Sequence, residues 1–306
     1  MNRKPTDKTK ISVIIAMDDH SHFDETVRAL LTQRARDEME VIVTDGIGAG
    51  WGDRASRLAQ EAGYGRFSYA EIPRAGRSKC WNIGARRASS GLLLFMADDF
   101  IASEGLVEAH LAKHEQNTDE KEVFFGPALF SEQLRSTSFM RWLEDGGSLF
   151  GVAFTKPETI PENFFWGANV SMKRALFERA GGFDEDFPYH GWEDYEFGLR
   201  LSGLGMRSHY LSDAVAYHEH ELTLDERLRT MVQAGESAVI FESKYPGQQP
   251  WHGVVKRPSV LWGFEKNIAR LKFKLSGNSD DEAAYFSSAL NQKFAQGYRS
   301  RSKPKR

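Results

Sequence analysis

At 306 residues the chain is long enough for one large domain or two moderate ones, each with its own core. Its net charge of −3 excludes a global electrostatic footprint for nucleic acid. A lone cysteine, Cys80, excludes an intramolecular disulfide; it fits a reducing compartment and reads as a small buried hydrophobe.

The first nine residues are polar and read as a disordered N-terminus. Residues 11–17, Ile-Ser-Val-Ile-Ile-Ala-Met, form an apolar run rich in β-branched side chains, the pattern of a strand buried on both faces. The run is shorter than a signal core or a membrane span, and no spanning segment is expected elsewhere. The chain is therefore expected in the cytoplasm, with peripheral contact at the inner face of the membrane as the alternative to free solution. Ser21 is expected to cap a helix whose face is Phe23, Val27, Leu30 and Leu31. Residues 40–44 predict a second strand, followed by a loop holding Gly46, Gly48, Gly50 and Gly52. Helix over 54–61, strand over 66–72, helix over 78–88 and strand over 92–97 follow, and Asp98-Asp99 stands at the end of the last strand. Another helix carries Leu106, Val107, His110, Leu111 and His114. Strand and helix thus alternate four times, which predicts a mostly parallel sheet with helices on both faces.

The second half is less regular. A strand is expected over 123–130, a helix over 134–143, a covering loop over 146–161 and a short helix over 173–180 closed by Gly181-Gly182. Phe197, Leu201 and Leu204 give one apolar helix stripe, headed by Glu193-Asp194; Glu196 and Arg200 read as an i,i+4 pair on a solvated face. Residues 206–217 read as extended and 224–244 as helix, with Leu228, Met231, Val232, Val239 and Ile240 as core positions. From 258 onward an amphipathic helical region carries Leu261, Phe264, Ile268, Leu271, Phe273 and Leu275.

In parallel sheets ligands bind beyond the carboxyl ends of the strands. Asp18, Asp45, Asp98 and Asp99 all follow strands directly and are expected at that edge. Asp98-Asp99 offers oxygen ligands to Mg²⁺ or Mn²⁺, although Asp also ends strands for turn reasons alone. The glycine loop is not a dinucleotide fingerprint, because Trp51 and Asp53 stand where the third glycine would be required. Asp45 could still accept hydrogen bonds from a nucleoside; a plain turn is the competing reading. Arg74, Arg77 and Lys79 surround Gly76 at a helix start, a disposition suited to phosphate. His218 and His220 alternate about Glu219 on an extended segment, so one could meet a metal or a diphosphate.

Several of these segments in this order resemble the GT-A glycosyltransferases of the family 2 type. The segments are 11–15, Val-Ile-Val-Thr-Asp45-Gly, Lys79-Cys-Trp-Asn82-Ile-Gly-Ala-Arg, 92–99, Gly167-Ala-Asn169-Val-Ser, Gly181-Gly-Phe-Asp-Glu and Trp192-Glu193-Asp194-Tyr-Glu-Phe-Gly-Leu-Arg200. The resemblance covers residues 10–246 and implies a Rossmann-like α/β domain using a nucleotide-sugar, usually a UDP-sugar, and a divalent cation, with inversion at the transferred carbon. It implies a nucleotide-binding half over 10–100 and an acceptor and catalytic half over 101–246; the residue pattern beyond them is read as a helical C-terminal extension over 247–298 and a basic flexible tail over 299–306. Asp194 then matches the general base, with Glu193 beside it. Asp45, with Asp18, Arg74, Arg77, Asn82 and Asp98, falls to the donor side. Asp99 and His218 match metal ligands, and Trp166, Asn169 and Trp192 fall near the sugar and acceptor pocket. The acceptor is expected to be a glycan or glycoconjugate hydroxyl, and a homodimer through the C-terminal region is an open expectation.

Three positions depart from the family pattern. Ala97 replaces the first acid of Asp-x-Asp, Thr44 replaces one acid of Asp-Asp-Gly, and Ala16-Met17-Asp18 replaces a Pro-x-x-Asn turn. They leave two competing readings: a nucleotidyltransferase acting on sugar phosphates, and a degenerate transferase acting as a binding partner.

Overall fold

The computed structural model describes residues 9–17, 22–131, 134, 137–144, 165–188 and 191–302. Asp18, Ser21, the loop expected over 146–161 and the last four residues of the tail lie outside them. The chain divides into two units. One comprises the described residues of Met1–Leu134, Phe150–Glu185 and Glu193–His220; the other comprises those of Arg135–Leu149, Asp186–Trp192 and Glu221–Arg306.

The first unit is built on a seven-stranded sheet in the order β3-β2-β1-β4-β8-β6-β9. The apolar runs form its centre: β1 (Ile11–Met17) lies between and parallel to β2 (Met39–Asp45) and β4 (Leu92–Ala97). All of β1 and β4 is buried, as continuous apolar strands require when helices cover both faces. β3 (Phe67–Glu71) continues the parallel set beyond β2. On the other side of β4 runs β8 (Asn169–Lys173), antiparallel to both β4 and β6 (Glu122–Phe125). β9 (Arg207–Tyr210) closes that edge parallel to β6. The helices of this unit are α1 (Phe23–Leu31), α2 (Gly52–Glu61), α3 (Arg77–Arg87), α4 (Leu106–Gln116), α6 (Arg174–Arg179) and α7 (Glu193–Gly203).

β8 was not foreseen as a strand, because its Asn169 and Ser171 interrupt the apolar pattern. Both are fully buried. The amide nitrogen of Asn169 donates to the carbonyls of Pro127 and Ala214, which turns its oxygen toward His110 Nε2 at 3.1 Å. The Ser171 hydroxyl meets His110 Nδ1 at 2.7 Å and His114 Nε2 at 2.9 Å. One chain of neutral hydrogen bonds therefore ties two polar residues of β8 to two imidazoles of α4, and His114 Nδ1 alone of the four imidazole nitrogens finds no partner among the described residues. Burial pushes the His110 pKa down to about 4 and that of His114 to about 3, the latter helped by Lys173.

The strand expected over 123–130 is two strands, because the chain turns at Gly126-Pro127 between β6 and β7 (Ala128–Phe130). The segment expected to be extended over 206–217 likewise splits, into β9 and β10 (Ala216–His218). β10 joins a second sheet, antiparallel to β5 (Phe100–Ala102) and parallel to β7.

The second unit is helical: α5 (Ser138–Glu144), α8 (Leu224–Lys244), α9 (His252–Lys256), α10 (Ser259–Ser276) and α11 (Ser279–Ser302). The 224–244 helix belongs to it, so the division falls after His220. Thr223 opens α8 with a capping box, its hydroxyl accepting from Glu226 N while Glu226 accepts from Thr223 N. The fully buried face of α8 is not Leu228, Met231, Val232, Val239 and Ile240 but Gly235, Ser237, Ala238 and Phe241. Small residues let α11 approach at backbone distance. A Cβ on Gly235 would lie 2.1 Å from Phe294 O, and one on Gly297 would lie 2.0 Å from Val232 O.

Candidate active site

Three motifs converge at α3 and α7. Trp81, on α3, is completely buried and packs its ring on Phe95 and Phe183, with centroids 6.0 and 4.7 Å apart. Gly167 rests on the indole: a Cβ there would stand 2.3 Å from Trp81 Cη2, so only glycine brings this backbone so close. The backbone of Gly167 in turn hydrogen-bonds the carboxylate of Asp194 in the first turn of α7. Arg77, whose guanidinium lies 5.4 Å from the Trp81 ring centroid, also acts on Asp194 electrostatically.

The Asp194 pKa is nevertheless raised well above the usual carboxylate range. Burial is the largest cause and the neighbouring Glu193 the second; the Gly167 backbone and Arg77 pull the other way. Asp194 as a residue is part-exposed, but its Oδ1 is sealed from solvent and has no hydrogen-bond partner among the described residues. Such an oxygen, at the head of a helix and with raised proton affinity, is equipped to take a proton from a hydroxyl delivered to it.

The floor of the site is stapled from below. Asn82 Nδ2 donates to Phe183 O and to Glu185 Oε1, both at 2.9 Å, and Asn82 Oδ1 accepts from Phe183 N at 2.8 Å. Asn82 is thus spent on holding the Gly-Gly-Phe-Asp-Glu turn. Glu196 and Arg200 are not a solvated pair. Glu196 is buried and grips Arg200 through two 2.7 Å contacts, and Arg200 extends to the carbonyls of Ala180 and Gly182. The charges fasten α7 to the same turn.

Asp45, at the end of β2, is fully buried. Its carboxylate accepts from the backbone N–H of Ile47, Gly48 and Ala49 at 2.8–2.9 Å and from Tyr69 Oη at 2.6 Å. Asp45 therefore shapes the glycine loop. The Tyr69 pKa is raised, by burial first and by Asp45 second. Gly46 must be glycine, because a Cβ would meet Ala75 O at 2.4 Å. The neighbour of Ala75, Arg74, has a φ of 62°, a left-handed conformation rare for a side-chain-bearing residue. Arg74 itself is exposed, and Lys79 stands exposed within the first turn of α3.

Asp99 and His218 meet through the small sheet. Its register sets His218 opposite both Phe100 and Phe130, and His218 Nε2 lies 3.1 Å from Asp99 Oδ2. The imidazole is held edge-on by both phenyl rings at 5.3 Å. Asp98 is buried beside them, its carbonyl accepting from Thr26 Oγ1 at 2.8 Å. Trp166 packs on Phe100 with centroids 5.8 Å apart. Asn169 is spent inside the fold, as described above. Trp192 belongs to the helical unit, where its indole N–H donates to Ala234 O at 2.9 Å and its ring meets Trp251 at 4.1 Å. The residues that sequence reasoning did not single out are Trp81, Gly167 and Phe183. A Trp beside Asn82 and a glycine before Ala-Asn were the available signals.

A nucleotide-binding type of sheet, an acid-headed helix and an Asp–His pair at the sheet edge define the architecture of GT-A glycosyltransferases. The chain belongs to the glycosyltransferase-like family 2, whose model matches residues 12–272. It is 34% identical over 146 residues to validoxylamine A glucosyltransferase of Streptomyces hygroscopicus subsp. jinggangensis, covering 41% of this chain and 35% of that protein. The chain thus spans about a third of the length of the curated relatives it matches first. It is 25% identical over 258 residues to the uncharacterized glycosyltransferase YfnE of Bacillus subtilis, covering 69% of this chain and 64% of that one. Among solved structures, mannosyltransferase PcManGT of Pyrobaculum calidifontis, in complex with GDP-Man and Mn²⁺, shares the fold with a TM-score of 0.65 at 15% identity, over 98% of this chain and 89% of that chain. TarS 1–349 of S. aureus in complex with UDP-GlcNAc does so with a TM-score of 0.57 at 13% identity, over 95% and 92%.

Proposed function

We propose that this protein is an inverting glycosyltransferase that moves a sugar from a nucleotide-sugar, a UDP-sugar by preference, to a hydroxyl of a glycan or glycoconjugate. The observation that carries the reading is Asp194: an oxygen sheltered from water, unengaged among the described residues and high in proton affinity. Asp194 takes the proton of the acceptor hydroxyl as that oxygen attacks the anomeric carbon. The bond from that carbon to the phosphate oxygen breaks on the opposite face, and the electron pair leaves with the nucleoside diphosphate. A single displacement of this kind inverts the configuration. Glu193 keeps the Asp194 proton affinity high, while Arg77 limits the rise. Arg74 and Lys79 offer cationic charge to the diphosphate at the start of α3, and Asp45 serves the nucleoside by holding the glycine loop in shape. Asp18 and Asp98 are assigned to the donor, and Trp166 to the transferred sugar. Asn169 serves from beneath, by positioning the backbone that follows Gly167.

Asp99 and His218 fit a divalent cation, an oxygen and a nitrogen donor already side by side. Among the described residues no third acidic, histidine or cysteine ligand joins them. Donor phosphate oxygens and water would then complete the shell of Mn²⁺ or Mg²⁺. Such an ion supplies Lewis-acid stabilisation of the leaving diphosphate.

The test is incubation with UDP-, GDP-, CMP- and dTDP-sugars and Mn²⁺, following nucleotide release and the anomeric configuration of the product by NMR. Release from one nucleotide class with an inverted product is expected. Release with retention would overturn the single displacement, and no release from any donor would overturn transfer itself.

A further inference from the structure

α10 carries a continuous apolar stripe that faces outward. Val260, Leu261, Phe264, Ile268, Leu271 and Leu275 are exposed, with Phe264 at 64% and Leu275 at 81%. Leu261, Phe264, Ile268, Leu271 and Leu275 recur at alternating steps of three and four, so they share one face of the helix. The opposite face is already used. Trp262 donates its indole N–H to Val254 O at 3.1 Å, Ala269 is buried, and Lys266 reaches Gln292 of α11 at 2.9 Å. The exposed stripe is therefore not the side by which the helix joins its own unit.

The charge left unpaired beside the stripe, among the described residues, is positive. At about 100° per residue, Lys272 flanks one edge and Lys274 the other. Both are exposed, as is Lys256 just before the helix, and none of the three has an ion-pair partner among the described residues. The acid of α10, Glu265, is neutralised by Arg257. A seam built for a second copy of this helix alternates opposite charges along its edges, and a self-contact here would set lysines near lysines. An anionic surface is complementary to both features at once: apolar side chains enter the acyl boundary while lysines stay at the headgroups. No helix among the described residues is long and apolar enough to cross a membrane, so the contact lies in the plane of the surface.

We propose that α10 is an interfacial helix that docks this protein on an anionic lipid bilayer through Phe264 and its apolar neighbours, flanked by Lys256, Lys272 and Lys274. The docking does not depend on the transferase reading. It requires only this face of the helical unit.

The experiment is flotation of the full chain with vesicles of phosphatidylcholine alone and of phosphatidylcholine with phosphatidylglycerol, at low and high salt. Binding is expected to the anionic vesicles, roughly tenfold or more above the zwitterionic ones, and to weaken with salt. Lys272→Glu combined with Lys274→Glu is expected to lower anionic binding by roughly tenfold or more. Phe264→Ser combined with Leu271→Ser is expected to abolish it while circular dichroism and Tm stay as in the parent, since both side chains face solvent. Absence of binding to either vesicle overturns the proposal. So does binding that survives the Phe264 and Leu271 changes. A dimer in light scattering that these same changes convert to monomer would assign the face to a second copy instead, and would equally overturn it.

Discussion

Asp194 owes its raised proton affinity to burial first and to Glu193 second, so its replacement is informative. Asp194→Asn keeps the shape and removes the base; turnover is expected to fall by roughly a hundredfold to ten-thousandfold, while donor affinity measured by calorimetry holds. Unchanged turnover would remove Asp194 from the chemistry. The buried imidazoles give a second prediction. His110 and His114 stay neutral in the fold, whereas in the unfolded chain they protonate near the ordinary histidine value of about 6.5. The unfolded state then binds more protons, so the stability they contribute is complete above that pH and is lost as pH falls toward 4 and 3. Asp194, protonated longer in the fold than unfolded, acts with the opposite sign. The difference between the parent and His110→Gln isolates the histidine contribution: the parent Tm is expected to fall between pH 7 and 5 more steeply than that of the variant. Identical slopes would refute it. At this scale the sequence showed the acids and not their surroundings. Glu193-Asp194 at the head of a helix was legible from residue type and spacing. The use of Asn82 and Asn169 as internal staples was not, because their hydrogen-bond partners lie far away in the chain.

Elements whose burial is continuous were the easiest to read. β1, β2 and β4 declare themselves by β-branched apolar runs, and the four strand–helix alternations translate directly into the parallel half of the sheet. β8 escaped because its polar side chains are paid for by two histidines of α4. β5 and β10, three residues each, are too short to show a period. α8 was found at its full length but with the wrong face: hydrophobicity marks large residues, while the contact with α11 selects small ones. That crossing gives a test of sign. Gly→Ala in a helix ordinarily adds about 1 kcal/mol. At Gly297 the new methyl meets a backbone carbonyl, so Gly297→Ala is expected to destabilise by about 1–3 kcal/mol in chemical denaturation. Gly253, in α9, has nothing within 4 Å of its Cβ position, and Gly253→Ala is expected to be neutral or stabilising. Equal effects at the two sites would refute the close crossing.

For the molecule as a whole, ligand binding and folding are one equilibrium. A nucleotide-sugar that binds only the folded chain raises stability by about 2.7 kcal/mol at a hundred times its Kd. Thermal denaturation with UDP-sugar is expected to show a larger upward shift with Mn²⁺ than without it, and Asp99→Ala to erase that difference while the parent fold persists. A Mn²⁺ response unaltered in Asp99→Ala would take Asp99 out of the metal site. The division of the chain into a sheet unit and a helical unit was only partly visible in the sequence, because α8 carries no compositional break from the segment before it. Most of the segments that carry the resemblance in motif order lie in the sheet unit. The helical unit offered amphipathic pattern alone, and pattern does not say what covers a face.

The register of β10 has a bearing on when the chain becomes competent to hold an ion. Asp99 and His218 come from distant parts of the sequence and face each other only because a three-residue strand pairs on both sides, with β5 and with β7. A slip by one residue would turn the imidazole to the other face of the small sheet. Contacts so remote in sequence close late, after the loops between them have been ordered. A nascent or partly unfolded chain therefore lacks the pair altogether, and any ion gripped by both groups is taken up only by the finished fold.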